Sequence, residues 1–311
     1  MQNLSIIILC FVFIAINSVT SEARTIHVPG DYNNIRNAGR FAEGGDTILV
    51  EPGVYDEESI LINTGFMNNP GPVILQGAGY KVTVIIGFVD FGGGKVKEPF
   101  KIDGFKIEGG INVESASITI SNNFITKSPP DRFGFSGGGI SLRYDSSYKI
   151  RVEENVIKDV QAGIACEGDG EKDELSIFIV NNMIKNNEIG ISCHNTSPTV
   201  RGNRIVENEK GIDISVGNPD LGTRTDPGRN TIYSNTKYDI QHTTDGVINA
   251  KYNYWGDPQD PVKGGVKIIN IQGAGWVDYD PWLSMDETRD LSVKPRKKLS
   301  STWGQIKIGQ R

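Results

Sequence analysis

The sequence predicts an all-β protein, a single-stranded parallel β-helix with a short capping helix at its N-terminal end. The chain has 311 residues, with 39 Ile against 11 Leu, and β-branched isoleucine fits a strand better than a helix. Its 37 glycines and 25 asparagines are typical of tight turns. A short motif also recurs along the chain, and such a recurrence is the signature of a repeat architecture.

The overall composition excludes several classes of protein. A hydrophobic fraction of 37% is too high for a disordered chain and too low for a protein with many membrane spans. The 32 basic and 38 acidic residues are mixed, and the formal net charge of −6 argues against nucleic-acid binding through phosphate neutralisation. Three cysteines are too few for a disulfide-held scaffold of this length. We therefore expect a globular protein that does not bind nucleic acid.

The first 23 residues have the pattern of a secretory signal. Eleven consecutive apolar residues extend from Ile6 to Ile16, which is too short to span a bilayer, and Ser21 and Ala23 are the small residues of a cleavage site. No second apolar segment is long enough to cross a membrane. We therefore predict that residues 1–23 are removed and that the protein is secreted, periplasmic or at the cell surface.

The repeated motif is an asparagine followed two residues later by isoleucine. Three of its copies are followed, eight residues after the asparagine, by a Gly-Ile pair. Each unit is too small to bury its own apolar row, so successive units must stack, with each strand parallel to its copy in the next coil. The copies are Asn123-Phe-Ile125, Asn155-Val-Ile157, Asn182-Met-Ile184, Asn203-Arg-Ile205 and Asn230-Thr-Ile232, and the three Gly-Ile pairs begin at Gly163, Gly190 and Gly211. Two further Gly-Ile pairs, which begin at Gly110 and Gly139, extend the series upstream.

Residues 24–57 are predicted to close the N-terminal end of the coil and to begin its first turn. Ile26–Val28 has the alternation of a strand, and Asp31 is a candidate N-cap for a helix that extends through Ala42. Thr47–Val50 then begins the first coil. A capped end is needed because the last strand of a solenoid otherwise exposes unpaired backbone groups.

The other end of the predicted β-helix domain, residues 24–284, is aromatic. Residues 274–284 include Trp276 and Trp282 and are predicted to cover the C-terminal end of the core. Residues 285–311 are basic, lack an inward periodicity and are predicted to form a flexible tail.

Several segments resemble one family of β-helix proteins. They are Ile26-His-Val-Pro with Pro52-Gly-Val-Tyr55, Leu75-Gln-Gly-Ala-Gly79, and Asn253-Tyr-Trp-Gly256 with Asp280-Pro-Trp282. Together with the repeats, over residues 25–284, they resemble right-handed parallel β-helix repeat proteins of the pectate-lyase-like group. The resemblance implies a right-handed coil. It implies no single activity, because that group includes lyases, hydrolases, esterases, epimerases and proteins without known activity.

No well-marked enzyme subfamily of that group is matched. The Asn-Thr-Asp, Asp-Asp, Gly-His-Gly and Arg-Ile-Lys motifs of polygalacturonase-like hydrolases are absent from the sequence. The Arg-x-Pro-x-x-Arg segment of one pectate lyase class is absent as well. Asp257-Pro-Gln-Asp260 has Gln where the similar epimerase pattern has His. An enzyme is therefore neither indicated nor excluded, and an active one would be a polysaccharide lyase, epimerase or glycoside hydrolase.

The repeat nevertheless predicts which side chains share a surface. Residues one and three positions after the glycine of each Gly-Ile pair are apolar and should point inward. Residues four and six positions after it should point outward and stack about 4.8 Å apart. The fourth positions are Glu114, Arg143, Glu167, His194 and Ser215, and the sixth positions include Asp145 and Asp169.

This outward column is the candidate site. Glu167 and His194 are the candidate proton-transfer groups, with Arg143 neutralising a uronate carboxylate. Such a site requires a groove walled by loops 126–136 and 217–228. No cofactor is required, although Ca²⁺ is an alternative, held by Asp145 and Asp169. The candidate substrate-binding residues are Glu114, Asp145, Tyr144, Phe133 and Phe135.

Two further interpretations stay open. The column can instead be a surface ladder of alternating charges with no ligand. Cys166 and Cys193 share an inward column, either as small buried hydrophobes or as a disulfide. We expect an exported monomer that binds, and in one interpretation modifies, an acidic polysaccharide or cell-surface glycan; the alternative is a non-catalytic envelope or surface scaffold.

Overall fold

The computed structural model describes residues 22–63, 71–92, 98–127, 138–144, 148–168, 177–243, 245–262, 265–270, 275–288 and 291. Most of the predicted signal and most of the predicted tail lie outside these residues. The described part contains one helix, α1 (Ile35–Phe41), and 24 strands. The strands are β1 (Thr25–Val28), β2 (Thr47–Val50), β3 (Gly53–Asn63), β4 (Ile74–Gly77), β5 (Thr83–Gly92), β6 (Phe100–Asp103), β7 (Lys106–Glu114), β8 (Ile118–Ser121), β9 (Phe124–Thr126), β10 (Gly139–Tyr144), β11 (Ile150–Glu153), β12 (Val156–Lys158), β13 (Ala162–Gly168), β14 (Ile177–Val180), β15 (Met183–Lys185), β16 (Ile189–His194), β17 (Thr199–Arg201), β18 (Arg204–Val206), β19 (Lys210–Ile214), β20 (Thr231–Tyr233), β21 (Tyr238–His242), β22 (Val247–Asn249), β23 (Ile268–Asn270) and β24 (Trp276–Asp278).

Most of the strands stack into three faces of one parallel coil. The first face is the sheet β1-β2-β4-β6-β8-β11-β14-β17. The second face is formed by β9, β12, β15, β18 and β20, and the third face by β10, β13, β16, β19, β21 and β23. The long strand β7 pairs with both β9 and β10 and so joins the second and third faces into one sheet. Every strand pair between described residues is parallel, which confirms the all-β parallel β-helix.

The isoleucine columns confirm the predicted register. In one coil Ile150, Ile157 and Ile164 lie on the first, second and third faces, and they pair with Ile177, Ile184 and Ile191 of the next coil. All six are at most 1% exposed. The core is therefore a set of stacked rows that run along the axis, and much of the chain's isoleucine lies in it.

A ladder of buried asparagines forms the corner between the first and second faces. Each ladder residue follows a residue with a φ of 53–63°, a turn conformation outside the strand region. From Asn155 onward, each Oδ1 accepts the backbone N–H and the Nδ2–H of the preceding ladder residue at 2.9–3.2 Å. The repeated asparagine is thus a stacked corner residue. The ladder consists of Asn123, Asn155, Asn182, Asn203, Asn230 and Asn253.

The N-terminal helix is present, but the predicted N-cap was wrong. Helix α1 begins at Ile35, and the N-cap is Asn34, whose side chain accepts the N–H of Asn37. Asp31 lies in the preceding turn, where its carboxylate accepts the backbone N–H of His27 at 2.8 Å. That hydrogen bond holds Asp31 against the preceding strand, three residues before the N-cap, so Asp31 cannot cap the helix.

Three aromatic rings lie close together near the C-terminal end of the coil, and a cover formed by residues 274–284 stays a prediction. The ring of Tyr279 lies 6.1 Å from the fully buried ring of Trp255 and 6.5 Å from that of Trp282. Trp276 is instead 59% exposed. Among the described residues no helix has the length and apolar character needed to cross a membrane.

Candidate functional site

The structure places the predicted outward column on the third face in the expected order. Arg143 of β10 pairs in register with Glu114 on one side and with Glu167 on the other, and Glu167 pairs with His194. We name Glu114, Arg143, Glu167, His194 and Ser215 the charged column. Inward neighbours such as Leu142 are buried, because side chains alternate along each strand.

Two contacts link neighbouring members of the charged column. Arg143 Nε donates a hydrogen bond to Glu167 Oε2 at 3.1 Å, and the two side chains are 67% and 50% exposed. His194 Nδ1 lies 2.7 Å from Ser215 Oγ. Ion pairs as exposed as that of Arg143 and Glu167 contribute about 0–1 kcal/mol to stability. The bond between these two side chains can therefore be exchanged for a bond to a ligand at little cost.

A depression of about 310 Å³ lies beside Arg143 on this face. Its floor is made of small residues from neighbouring coils, and its polar and aromatic borders come from side chains of three strands and a corner. Neither Glu167 nor His194 lines it. The volume lies at the lower end of the roughly 300–1,000 Å³ range of small-molecule sites. The lining residues are Phe88, Gly110, Asn112, Gly138, Gly139, Ile140, Ser141, Arg143, Gln161, Ala162 and Ala165.

The depression depends on a glycine in its floor. Gly139 has a φ of +108°, and a Cβ at this position would lie 2.0 Å from the carbonyl oxygen of Ala162. No larger residue fits without moving the backbone of the next coil. The Gly-Ile pairs that identified the repeat therefore also make room for the depression at this point.

Of the polar and aromatic residues that border the depression, the sequence identified Arg143 and missed Phe88, Asn112, Ser141 and Gln161. Phe88 pairs in register with Gly110, one coil before the first Gly-Ile pair, so its coil lacks the motif from which positions were counted. Asn112 was in register but carries no charge. Gln161 lies in a corner, where strand periodicity says nothing about direction.

Several predicted site residues lie outside the described part of the chain. They are Asp145, Asp169, Phe133 and Phe135, and the side chain of Tyr144 is not described either. The calcium site and the aromatic contacts therefore stay predictions. Among the described residues no group of three or more His, Cys, Asp or Glu side chains is placed to hold a metal ion.

One of the two loops expected to wall the site does not do so. The 217–228 segment packs along the first face. Asp220 forms a parallel backbone β-bridge with Thr199, and the Arg201 guanidinium forms an ion pair with Asp226 at 2.8 Å. Most of the loop 126–136 is not described. The concavity that the structure does show lies between coils rather than between these loops.

The two cysteines under the charged column are free buried thiols. Cys166 and Cys193 pair in register on β13 and β16, as predicted, but they form no disulfide in the structure. Burial raises the pKa of the Cys193 thiol to about 12 and that of Cys166 well above its ordinary value. Both therefore stay protonated at neutral pH and act as small apolar side chains.

Comparison with known proteins identifies a family without an assigned activity. Among solved structures the chain is similar to the crystal structure of pectate lyase Pel9A, with 13% sequence identity, a TM-score of 0.37, and coverage of 83% of this chain and 78% of that one. No curated protein matches the chain. Residues 29–260 match the family model "Protein of unknown function (DUF1565)". The chain, a parallel β-helix repeat protein, therefore belongs to the DUF1565 family.

Proposed function

We propose that the third face binds an acidic polysaccharide and that the depression beside Arg143 receives one of its uronate residues. The observation that carries this proposal is an exposed arginine at the border of a ligand-sized depression. A guanidinium presents its donors in a planar fork that matches both oxygens of a carboxylate. A sugar carboxylate is therefore the group best suited to Arg143.

The other borders of the depression suit the rest of a sugar ring. Phe88 is partly exposed and offers an apolar surface to ring C–H groups. Asn112, Ser141 and Gln161 supply amide and hydroxyl groups that can bond to sugar hydroxyls. The outer surface also continues along the axis over several coils, which favours a polymer over an isolated small molecule.

Chemical modification of the ligand is part of the proposal only as an extension. Glu167 and His194 lie one and two coils beyond Arg143, within reach of the next sugar of a bound chain. Proton transfer requires a carboxyl or imidazole group within hydrogen-bond distance of the reacting atom. These residues are the candidates for that role, and an active protein would act as a lyase, epimerase or hydrolase.

The alternative is a non-catalytic surface scaffold. It is favoured by the contacts inside the charged column, where Arg143 already has Glu167 and His194 already has Ser215 as a partner. Such a ladder needs no ligand to be stable. Export and a monomeric state, both expected from the sequence, belong to this proposal and to the alternative alike.

The proposal is tested with purified protein and a panel of glycans. Polygalacturonate, alginate and hyaluronan are titrated by calorimetry against their carboxyl-reduced, neutral counterparts, and unsaturated products are followed by absorbance with and without Ca²⁺. We expect binding of at least one acidic glycan and at least a tenfold weaker binding in Arg143→Gln, since charge-assisted hydrogen bonds are worth about 1.5–3 kcal/mol.

The matched control is Arg151→Gln. Arg151 is an exposed arginine of the first face that pairs with Glu153, so its loss removes the same charge at a distance from the depression. If Arg143→Gln and Arg151→Gln weakened glycan binding equally, the effect would come from the net charge and not from a site at Arg143. Failure of every acidic glycan to bind would leave the scaffold as the function.

A further inference from the structure

We infer that Glu167 is an internal competitor for the ligand carboxylate, which must displace it from Arg143 before the ligand can bind. This inference rests on the proposed function and assigns Glu167 a role in selectivity. The role differs from proton transfer, because the carboxylate acts here by occupying the arginine and not by touching the reacting atoms.

The geometry gives Arg143 two competing partners. Its Nε donates to Glu167 at 3.1 Å, whereas the same side chain borders the depression that Glu167 does not line. One guanidinium therefore serves an internal carboxylate and the neighbouring cavity. A ligand carboxylate in the depression and the Glu167 carboxylate are alternative acceptors for the donors of one side chain.

The exposure of the pair makes the exchange feasible. Because both side chains are at least half exposed, water screens their attraction. In an exposed ion pair of this kind, the paired arrangement of the two side chains is favoured over the separated one by a factor of about 1 to 5. Breaking the Arg143–Glu167 bond thus costs a ligand with a carboxylate only a little affinity, because that carboxylate takes the place of Glu167. A neutral sugar has no carboxylate with which to replace it.

The position of Glu114 adds a matched test. Glu114 and Glu167 pair with Arg143 from the two neighbouring coils, each about 4.8 Å away along the axis. Both are exposed carboxylates, but the structure shows the hydrogen bond from Arg143 Nε to Glu167. Removing either charge changes the local potential similarly, and removing Glu167 also releases a donor of Arg143.

The experiment measures the affinity of four variants for defined probes. The probes are a tetrasaccharide of galacturonate and one of alternating glucuronate and N-acetylglucosamine, each with its carboxyl-reduced counterpart. The variants are Glu167→Gln, Glu114→Gln, Arg143→Gln and the double variant Glu167→Gln/Arg143→Gln. All substitutions are on exposed side chains, and circular dichroism confirms that each variant is folded.

We expect Glu167→Gln to bind the acidic probes about two- to fivefold more tightly than the wild-type protein, in line with the strength of an exposed pair. Glu114→Gln should show less than half of that gain, and the neutral probes should show none. In the Arg143→Gln background the gain should vanish, because the double-mutant cycle isolates the coupling between the two residues.

The outcomes separate this inference from the proposed function. In one outcome the wild-type protein binds an acidic probe, Arg143→Gln weakens this binding, and Glu167→Gln leaves the affinity unchanged or reduced. That result overturns the competition and leaves the proposed function intact. Equal gains in both glutamate variants also overturn it, since only charge would then matter. A turnover that Glu167→Gln abolishes at unchanged affinity would make Glu167 a catalytic residue. Absence of binding to both acidic probes would overturn the proposed function and the inference together.

Discussion

Replacement of Asn203 by alanine is expected to destabilise the coil strongly. Asn203 is fully buried, and its Oδ1 accepts the N–H and Nδ2–H of Asn182 at 2.9 and 3.0 Å. Its Nδ2 donates to Ile179 O, Arg201 O and Asn230 Oδ1 at 2.7, 3.0 and 3.1 Å. Alanine removes the acceptor of the Asn182 N–H and a donor to Ile179 O. Each buried group left unsatisfied costs about 1–3 kcal/mol, so the free energy of unfolding should fall by about 2–6 kcal/mol.

Urea unfolding followed by far-ultraviolet circular dichroism measures this difference. The matched control is Asn218→Ala, which removes the same amide from an exposed position and should change stability by no more than about 0.5 kcal/mol. A loss below about 1 kcal/mol in Asn203→Ala would show that the ladder amides are satisfied by water or by local movement. The assignment of the asparagine column as a main stabiliser of the corner would then be wrong.

Three further outcomes are expected. Burial raises the pKa of Asp239 above the ordinary value of about 3.9, so its stabilising contribution is fully present below that value and is lost as pH rises through the higher pKa of the folded state. Urea titrations at several pH values should show that Asp239→Asn removes this pH dependence, and an unchanged profile would contradict the assignment. Gly87→Ala should lower the free energy of unfolding by about 3 kcal/mol or more, because its Cβ would lie 1.8 Å from a carbonyl oxygen. The control Gly79→Ala, with a similar φ and no atom within 4 Å of its Cβ, should lower it by only about 1–2 kcal/mol, and equal shifts in melting temperature would refute the steric cause. Cys166 and Cys193 should be inert to a thiol reagent at neutral pH until the protein is unfolded, when peptide mapping should find both labelled; rapid labelling of the folded protein, or none after unfolding, would contradict two buried free thiols.

The sequence predicted the coil because stacking repeats the same local requirement in every unit. The asparagine at the corner and the isoleucine in the core recur since each contacts its own copy one coil away, as Asn182 does with Asn203 and Ile157 with Ile184. The register of Glu167 on the third face followed from the same count. Patterns of this kind are visible in one sequence without any knowledge of tertiary contacts.

What the sequence missed lies where the pattern is interrupted. Phe88 belongs to a coil without the Gly-Ile motif, and Gln161 belongs to a corner, so neither could be assigned a direction by counting. The predicted N-cap was wrong because Asp31 and Asn34 are both good capping residues, and a hydrogen bond that Asp31 accepts from the His27 N–H of the preceding strand decided between them. Local propensity offers alternatives, and a contact outside the helix selects one.

The stacked asparagine corner also makes the molecule modular in length. Asn182 and Asn203 occupy equivalent positions 21 residues apart, each after a residue of positive φ. Excision of residues 182–202 would join Asn181 to Asn203, keep the corner conformation and shorten the solenoid by one coil of about 4.8 Å. Glu167 would then stand next to Ser215 in place of His194. Gain or loss of whole coils can thus rearrange the outer surface while the inner rows remain continuous.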